Sequence, residues 1–411
     1  MSKKVAKKTK KVKKKVVKKF DLRDITDDMN KFAFSVMDEE SKNEEIAPYK
    51  IPFRHHGLQK TTGGVLGGKF LEIAGASQSG KSFLLYELMS EAVQMGGFCQ
   101  LFDGERAFEE PYAEMVGLDI RGGHFAFGEI QTATQKKKGL RGDPIVDMDM
   151  VFKAMYAFIT NIRKKVKDLS IPIVMGVDSY PALQCKVDIA NMEKGADPRG
   201  YRAMQKNAAF YGHLERMIPV FDKFGATFIL LNQLTKDHSI TYGNPYKSNA
   251  EEKIKFWATQ RLQGKLLGKL KKTVKSIEKK NGRIVYTGMR TEWTTNKNRA
   301  VRPFQTTITD VRYASGLDPF SGLVELLVND ELVKVGSTKF DSDGEALTKS
   351  RVGVKVIKEK EDFKDKFYGM NELNILITDY PEFLEPVWTG TFEEDDDEFE
   401  AVKTGLEDDN D

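Results

Sequence analysis

The strongest constraint on this fold is the run Gly75, Ala76, Ser77, Gln78, Ser79, Gly80, Lys81, Ser82, which satisfies the spacing G-x-x-x-x-G-K-[ST]. Such a run works only between a strand and a helix, because its backbone N–H groups must close around phosphate oxygens at a helix N-terminus. The flanks supply that context: 69–74 reads as a strand, 81–94 as a helix and 98–102 as a second strand, a βαβ unit. In this geometry Lys81 reaches the β and γ phosphates of ATP, and the Ser82 hydroxyl ligates Mg²⁺. A chance glycine-rich loop is the competing reading, and the strand–loop–helix context argues against it.

The elements that follow keep the same alternation. Val151, Met155, Phe158, Ile159 and Ile162 recur at helical spacing, then 171–177 and 227–231 are continuous apolar runs of the kind buried on both faces of a sheet. The expected fold class is α/β, a P-loop ATPase core with a mostly parallel sheet flanked by helices. Beyond Arg261 the texture turns hairpin-like around Asn281-Gly282, with strands expected at 283–295 and 304–309. A small α+β C-terminal domain is expected from about Val311, through a helix-like 323–328, to about Trp388, where Pro381 and Pro386 punctuate the end. Ahead of the core, Met29, Phe32, Ala33, Val36 and Met37 predict a short N-terminal helix, with Thr26 as N-cap and Asp27 and Asp28 in its first turn. Its apolar face can dock on its own core or on another subunit.

The domain division is therefore a lysine-rich tail at 1–20, an N-terminal helix and linker for oligomerisation at 21–50, and the ATPase core at 51–311. A small C-terminal domain at 312–390 and an acidic tail at 391–411 complete it. The net charge of +4 over 411 residues conceals a dipolar layout. Residues 1–19 hold lysines and no acid, whereas Glu393, Glu394, Asp395, Asp396 and Asp397 open a carboxylate block. Like-charge blocks with little apolar content cannot bury enough surface to fold, so both tails are expected to be disordered. Solubilising tails are the plain reading. Phosphate contacts for the lysines and mimicry of nucleic acid by the acids are the functional ones.

Cys99 and Cys185, the only two cysteines, lie in apolar runs and read as buried reduced thiols, which excludes a disulfide framework. No run approaches the ~20 apolar residues a bilayer requires. The expectation is a protein of the cytoplasm, bacterial or that of a phage's host, with no membrane partner.

Asp178 ends the apolar run 171–177 and so falls at the C-terminal edge of the sheet, where open α/β sheets bind ligands. There it can hold Mg²⁺ through water, or merely cap the next turn. Glu105, in Asp103-Gly104-Glu105, follows the neighbouring strand and points into the same crevice, as a general base for water or as a salt-bridged surface residue.

The collinear order of the phosphate loop, Asp103-Gly104-Glu105-Arg106-Ala107, Tyr112-Ala113, Val177-Asp178-Ser179, Asn232-Gln233 and Tyr242-Gly243-Asn244-Pro245 resembles the bacterial RecA recombinase family. The resemblance covers roughly 60–340, continued by Lys297-Asn298-Arg299, Pro303-Phe304 and 316–332. It implies that Glu105 is the catalytic glutamate, that Tyr112 stacks on adenine, and that Gln233 senses the γ phosphate and couples it to DNA. It also implies that Lys297 and Arg299 reach the ATP of a neighbouring subunit; charge on a surface hairpin is the alternative.

The polar stretch 235–250, with Lys236, His238, Tyr242, Asn244 and Lys247, resembles the family's second DNA-binding loop, and such a segment suits a single strand held by its backbone. The stretch 191–202 matches the first loop in position, with Arg199, Arg202 and Lys206 as phosphate contacts or as an ordinary solvated helix start. Departures include the lysine tail, the insertion running from Lys136, Lys137 and Lys138 to Arg141, and the lack of a paired glycine after Pro245. They fit a divergent member, a phage-encoded one like the UvsX recombinases among the origins left open.

The resemblance implies a DNA-dependent ATPase that forms filaments on single-stranded DNA and exchanges strands with homologous duplex DNA, using ATP and Mg²⁺ at subunit interfaces. Single-strand-binding or loader proteins are partners such a machine would meet. A ring helicase or translocase on the same core, and an ATP-switched mediator protein, are the competing functions.

Overall fold

The computed structural model describes residues 47–130, 138, 141–185, 202–236, 246–274 and 283–322, with the backbone alone at Val333–Val335, Val354–Val356 and Phe367–Tyr368. Both tails, the helix expected at 26–37, the Asn281-Gly282 turn, the helix-like 323–328 and the prolines near 388 lie outside the described residues.

A short antiparallel pair, β1 (Lys50–Ile51) and β2 (Val65–Leu66), brackets helix α1 (His56–Thr62). His55 caps that helix, its Nδ1 accepting from the N–H of Leu58 at 3.0 Å. The alternating region then runs β3 (Phe70–Gly75), α2 (Lys81–Gln94), β4 (Phe98–Asp103), α3 (Glu110–Val116) and β5 (Phe125–Phe127). A small hairpin, β6 (Glu129–Ile130) with β7 (Asp143–Pro144), leads to α4 (Met148–Lys165), β8 (Ile173–Asp178) and α5 (Arg202–Lys223). Next come β9 (Ala226–Lys236), β10 (Tyr246–Ser248), α6 (Glu251–Trp257) and β11 (Gln260–Val274). The series ends with β12 (Arg283–Lys297), β13 (Thr306–Arg312) and β14 (Gly316–Leu317).

These strands form a 10-stranded sheet in the order β14-β13-β12-β11-β3-β9-β8-β4-β5, with β10 paired to β9. From β11 to β5 the pairs are parallel, and β12, β13, β14 and β10 add antiparallel edges. The strand period of two sorts the apolar runs onto both faces. Ile73, Leu101, Val174 and Ile229 meet α2 through Leu84, Leu85, Leu88 and Met89, while Phe70, Phe102, Met175 and Phe228 meet α4 and α5 through Val151, Met155, Ile159, Phe210 and Leu214. That is why these strands read as unbroken apolar runs. Gly176 lets α2 sit close, since a Cβ there would stand 2.5 Å from Met89 Cε.

Cys99 and Cys185 are buried and free, as expected. Among the described residues no helix is long and apolar enough to cross a membrane. Element ends differ from the expectation for identifiable reasons. β8 begins at Ile173, after Pro172, which has no N–H for the ladder. β9 runs five residues past 231 to Lys236 because Leu234, Thr235 and Lys236 pair with β10. β13 starts at Thr306 because Phe304 is in a left-handed turn, φ 64°, with its N–H on the carbonyl of Thr295 at 2.6 Å.

β11 and β12 are longer than their neighbours require. Only Gln260–Gly264 of β11 pairs with β3, and only 288–294 of β12 pairs with β13, so the outer part of the hairpin is a two-stranded ribbon beyond the sheet. Its exposed side chains include Leu267, Ile284 and Tyr286, and the ammonium groups of Lys269 and Lys271 stand 5.2 and 6.0 Å from the Tyr286 ring.

Candidate functional site

The parallel register gathers the candidate residues at one edge. Gly75 lies beside Gln233 and Asp103 beside Asp178, all at the C-terminal ends of β3, β9, β4 and β8. The phosphate loop turns through left-handed residues Gln78 (φ 61°) and Gly80 (φ 87°), and Gly80 serves as N-cap of α2. Glycine is needed at 75 for a different reason: a Cβ there would lie 2.4 Å from Ser79 Oγ. Ala76 is half-buried, Ser77 and Gln78 are exposed, and Ser79 is buried with an Oγ that has no hydrogen-bond partner among the described residues. Thr291 of β12 braces the loop from behind, its Oγ1 donating to the carbonyl of Ser79 at 3.1 Å.

Lys81 folds over the loop, donating to the carbonyls of Gly75 and Ala76 at 3.1 and 2.8 Å. Burial holds its ammonium below the ordinary lysine range, with Asp178 and Glu105 pulling the other way. Ser82 Oγ donates to Asp178 Oδ2 at 2.7 Å. Burial pushes the Asp178 carboxyl up to about 6, against the lowering effect of that hydrogen bond, while Glu105 and Asp103 add to the rise. Glu105 is exposed, and its Oε1 accepts from Ser179 Oγ and from Gln233 Nε2, the latter at 3.4 Å.

This donor set fits a magnesium nucleotide. A closed loop with a glycine cradle, an ammonium beside it, and a hydroxyl touching a dry carboxylate are the parts that phosphate and Mg²⁺ call for. Gly75 to Ser82 would hold the phosphates, and Ser82 with Asp178 the metal.

Residues 11–126 match the model of the RecA N-terminal domain. The chain is 25% identical over 295 residues to Protein RecA of Cytophaga hutchinsonii, covering 72% of each. It is 26% identical over 308 residues to Protein RecA of Chloroherpeton thalassium, covering 75% of each. To Protein RecA 2 of Myxococcus xanthus it is 27% identical over 293 residues, covering 71% of each. The chain is thus similar to RecA proteins over most of its length, at the distance of a divergent relative. The resemblance seen in the motifs extends along the chain, and the sheet of mostly parallel strands flanked by helices is a RecA-like core.

Tyr112, within the matched domain, is half-buried on α3, edge-on to Phe83 of α2 at 5.5 Å. Burial pushes its hydroxyl up to about 12, so the ring is a neutral apolar wall near the N-terminal turn of α2.

Two groups that sequence reasoning left without a role stand beside these. Ser179 is buried and holds Glu105, yet its partner comes from 74 positions away, so nothing local announces it. Arg141, at the end of what read as an insertion, donates to the buried Asp103 carboxylate at 3.3 Å and lies 4.0 Å from the Phe127 ring centroid. Asp103 also accepts from the N–H groups of Ala107 and Phe108, at 3.0 and 3.2 Å, which fixes the turn carrying Glu105.

Lys297 and Arg299 are not in this cluster. Lys297 pairs in register with Arg261, itself level with Glu72, whereas the phosphate loop begins level with Gly264, so Lys297 sits toward the opposite edge of the sheet. Its Nζ donates to the carbonyls of Lys255 and Phe256 at 2.7 and 3.1 Å, at the C-terminal end of α6. Burial, with Arg299 and Arg261 nearby, holds that ammonium below the usual lysine range. Arg299 is exposed.

Of the residues expected to meet DNA, Lys247 is exposed on β10, and Lys236 ends β9 directly opposite Tyr246. The two strands thus flank the stretch expected to be the second loop. Tyr242, Asn244 and His238 lie outside the described residues, as does Arg199. Arg202 opens α5. Lys206 is turned inward, donating to the carbonyl of Pro181 at 2.8 Å with its ammonium 4.9 Å from the Tyr180 ring.

Proposed function

We propose that this RecA-like protein is an ATP-dependent recombinase that polymerises on single-stranded DNA and exchanges strands with a homologous duplex, hydrolysing ATP with Mg²⁺ at the interfaces between its subunits. In this reading Lys81 and the loop hold the phosphates, Ser82 and Asp178 hold Mg²⁺, and Tyr112 lies against the adenine. Glu105 orients the attacking water, and Gln233 reports the γ phosphate to the 235–250 loop, where Lys236, Tyr242, Asn244 and Lys247 meet the strand. Arg199, Arg202 and Lys206 supply the first loop, with Lys206 having to leave Pro181 to do so.

One observation carries the reading: a complete set of carboxylates and P-loop groups stands at one sheet edge, while Lys297 and Arg299 of the same chain stand toward the other. In this reading the two cations serve the ATP of a neighbouring subunit, which makes turnover depend on assembly. A head-to-tail interface of this kind generates filaments when it does not close and rings when it does.

Mixing tests this directly. Lys81→Ala and Arg299→Ala chains should each be inactive with single-stranded DNA. Combined in equal amounts, about a quarter of random interfaces pair an intact P-loop with an intact arginine, so activity should partly return. If the mixture stays as inactive as its components, the shared site is wrong. Closed hexamers with unwinding activity in place of open filaments would favour the ring helicase.

A further inference from the structure

A chain of buried polar groups joins the nucleotide edge to the return leg of the 235–250 loop. Asn232, fully buried on β9, donates from Nδ2 to Glu72 Oε1 at 2.8 Å and to the carbonyl of Asn249 at 2.8 Å. Its Oδ1 accepts from the backbone N–H of Gln233 at 2.9 Å. The other Glu72 oxygen accepts from Arg261 Nε at 2.6 Å, and Arg261 Nη2 donates to Ser248 Oγ at 3.3 Å. Glu72, Ser248 and Arg261 are buried as well.

A dry ion pair is poor value for stability alone, because apolar side chains of the same volume serve as well or better. What a satisfied buried network does supply is a single arrangement, since any other leaves buried polar atoms unpaired. Here that arrangement is specific. One planar amide holds three partners at once: the Gln233 backbone, the Asn249 carbonyl and the Glu72 carboxylate, which the guanidinium of Arg261 orients in turn.

We propose that Asn232, with the Glu72–Arg261 pair, is a positioning device that clamps the return leg, Ser248 and Asn249, to the strand position carrying Gln233. A displacement of the Gln233 backbone then cannot be absorbed within β9; the amide passes it to Asn249 and so to the DNA loop. This rests on reading Gln233 as the γ-phosphate sensor and 235–250 as the DNA loop. Without the clamp, β10 is still held to β9 by the pairing of Tyr246, Lys247 and Ser248 with Lys236, Thr235 and Leu234. The loss therefore falls on coupling and not on the phosphate site.

The test uses the full-length chain and compares Asn232→Ala, Ser248→Ala and wild type. ATP turnover is measured with and without oligo(dT), oligo(dT) affinity with and without ATPγS, and folding by thermal melting. Coupling between two sites is typically worth 5–150-fold. Asn232→Ala should keep DNA-free turnover within about twofold of wild type while its stimulation by oligo(dT), and the tightening of oligo(dT) by ATPγS, each fall about tenfold. Ser248→Ala removes only the 3.3 Å bond and should lower the stimulation ratio about twofold, which carries the test if Asn232→Ala does not fold.

Stimulation ratios equal to wild type in the folded variants, or basal and stimulated rates that fall together, overturn the clamp. A wild-type chain that oligo(dT) does not stimulate overturns the recombinase reading itself.

Discussion

Ser82 Oγ lies 2.7 Å from Asp178 Oδ2, so the first turn of α2 and the last residue of β8 meet across 96 positions of sequence. The carboxylate in that contact is dry, which places function and stability in opposition. Burial raises the Asp178 pKa from 3.8 to about 6, so the fold favours the protonated form and loses stability as pH rises through that window. At pH 7.5 Asp178→Asn should therefore raise stability by about 1–2 kcal/mol in a melt, with the gain gone below about pH 4. The same variant should lose roughly a hundredfold in MgATP turnover.

Ser179 holds Glu105, and its hydroxyl touches no part of the phosphate loop among the described contacts. Ser179→Ala should lower kcat about tenfold with little change in KM for ATP, as expected when a positioned carboxylate loses orientation and not substrate binding. Steady-state kinetics at saturating DNA checks this; a raised KM at unchanged kcat would assign Ser179 to binding.

The ribbon beyond the sheet carries Lys269 and Lys271 on either side of Tyr286. If they meet duplex phosphates, the double variant Lys269→Gln, Lys271→Gln should weaken duplex binding equally for all sequences. It should also reduce the slope of log affinity against log salt by roughly 2. Binding titrations at several salt concentrations decide it, and an unaltered slope would release the ribbon from this role.

His55 is buried at the cap of α1, its Nε2 3.0 Å from Ser321 Oγ, with His56 and Asp310 the charged groups around it. Burial lowers its pKa from 6.5 to about 4, so between these values the unfolded chain binds the extra proton and stability is lost as the pH is lowered. Glu87, raised by burial to about 7, runs the other way, so the wild-type profile blends the two. The His55 contribution appears as a difference: wild type minus His55→Asn should lose on the order of 2–3 kcal/mol between pH 6.5 and 4, read from denaturant melts.

Much of the core was legible because the signals are local. The run at 75–82 names its own flanking elements, and the continuous apolar strands declare a sheet covered on both faces. Asp178 could be placed at the sheet edge because it ends such a run. Element ends were less legible where pairing decides them, as at Lys236, whose strand continues only because β10 returns beside it.

Sequence by itself determined the residue types that can bind phosphate and metal, their order, and hence the family they resemble, because those depend on short-range spacing. Tertiary structure alone decided who holds whom. Ser179 on Glu105, Arg141 on Asp103, and Asn232 between Glu72 and Asn249 are contacts between distant positions, set by strand register and by burial that forbids an unpaired polar group. It also decided that Lys297 stands toward the other edge of the sheet from the phosphate loop of its own chain, a separation that no spacing of residues could express.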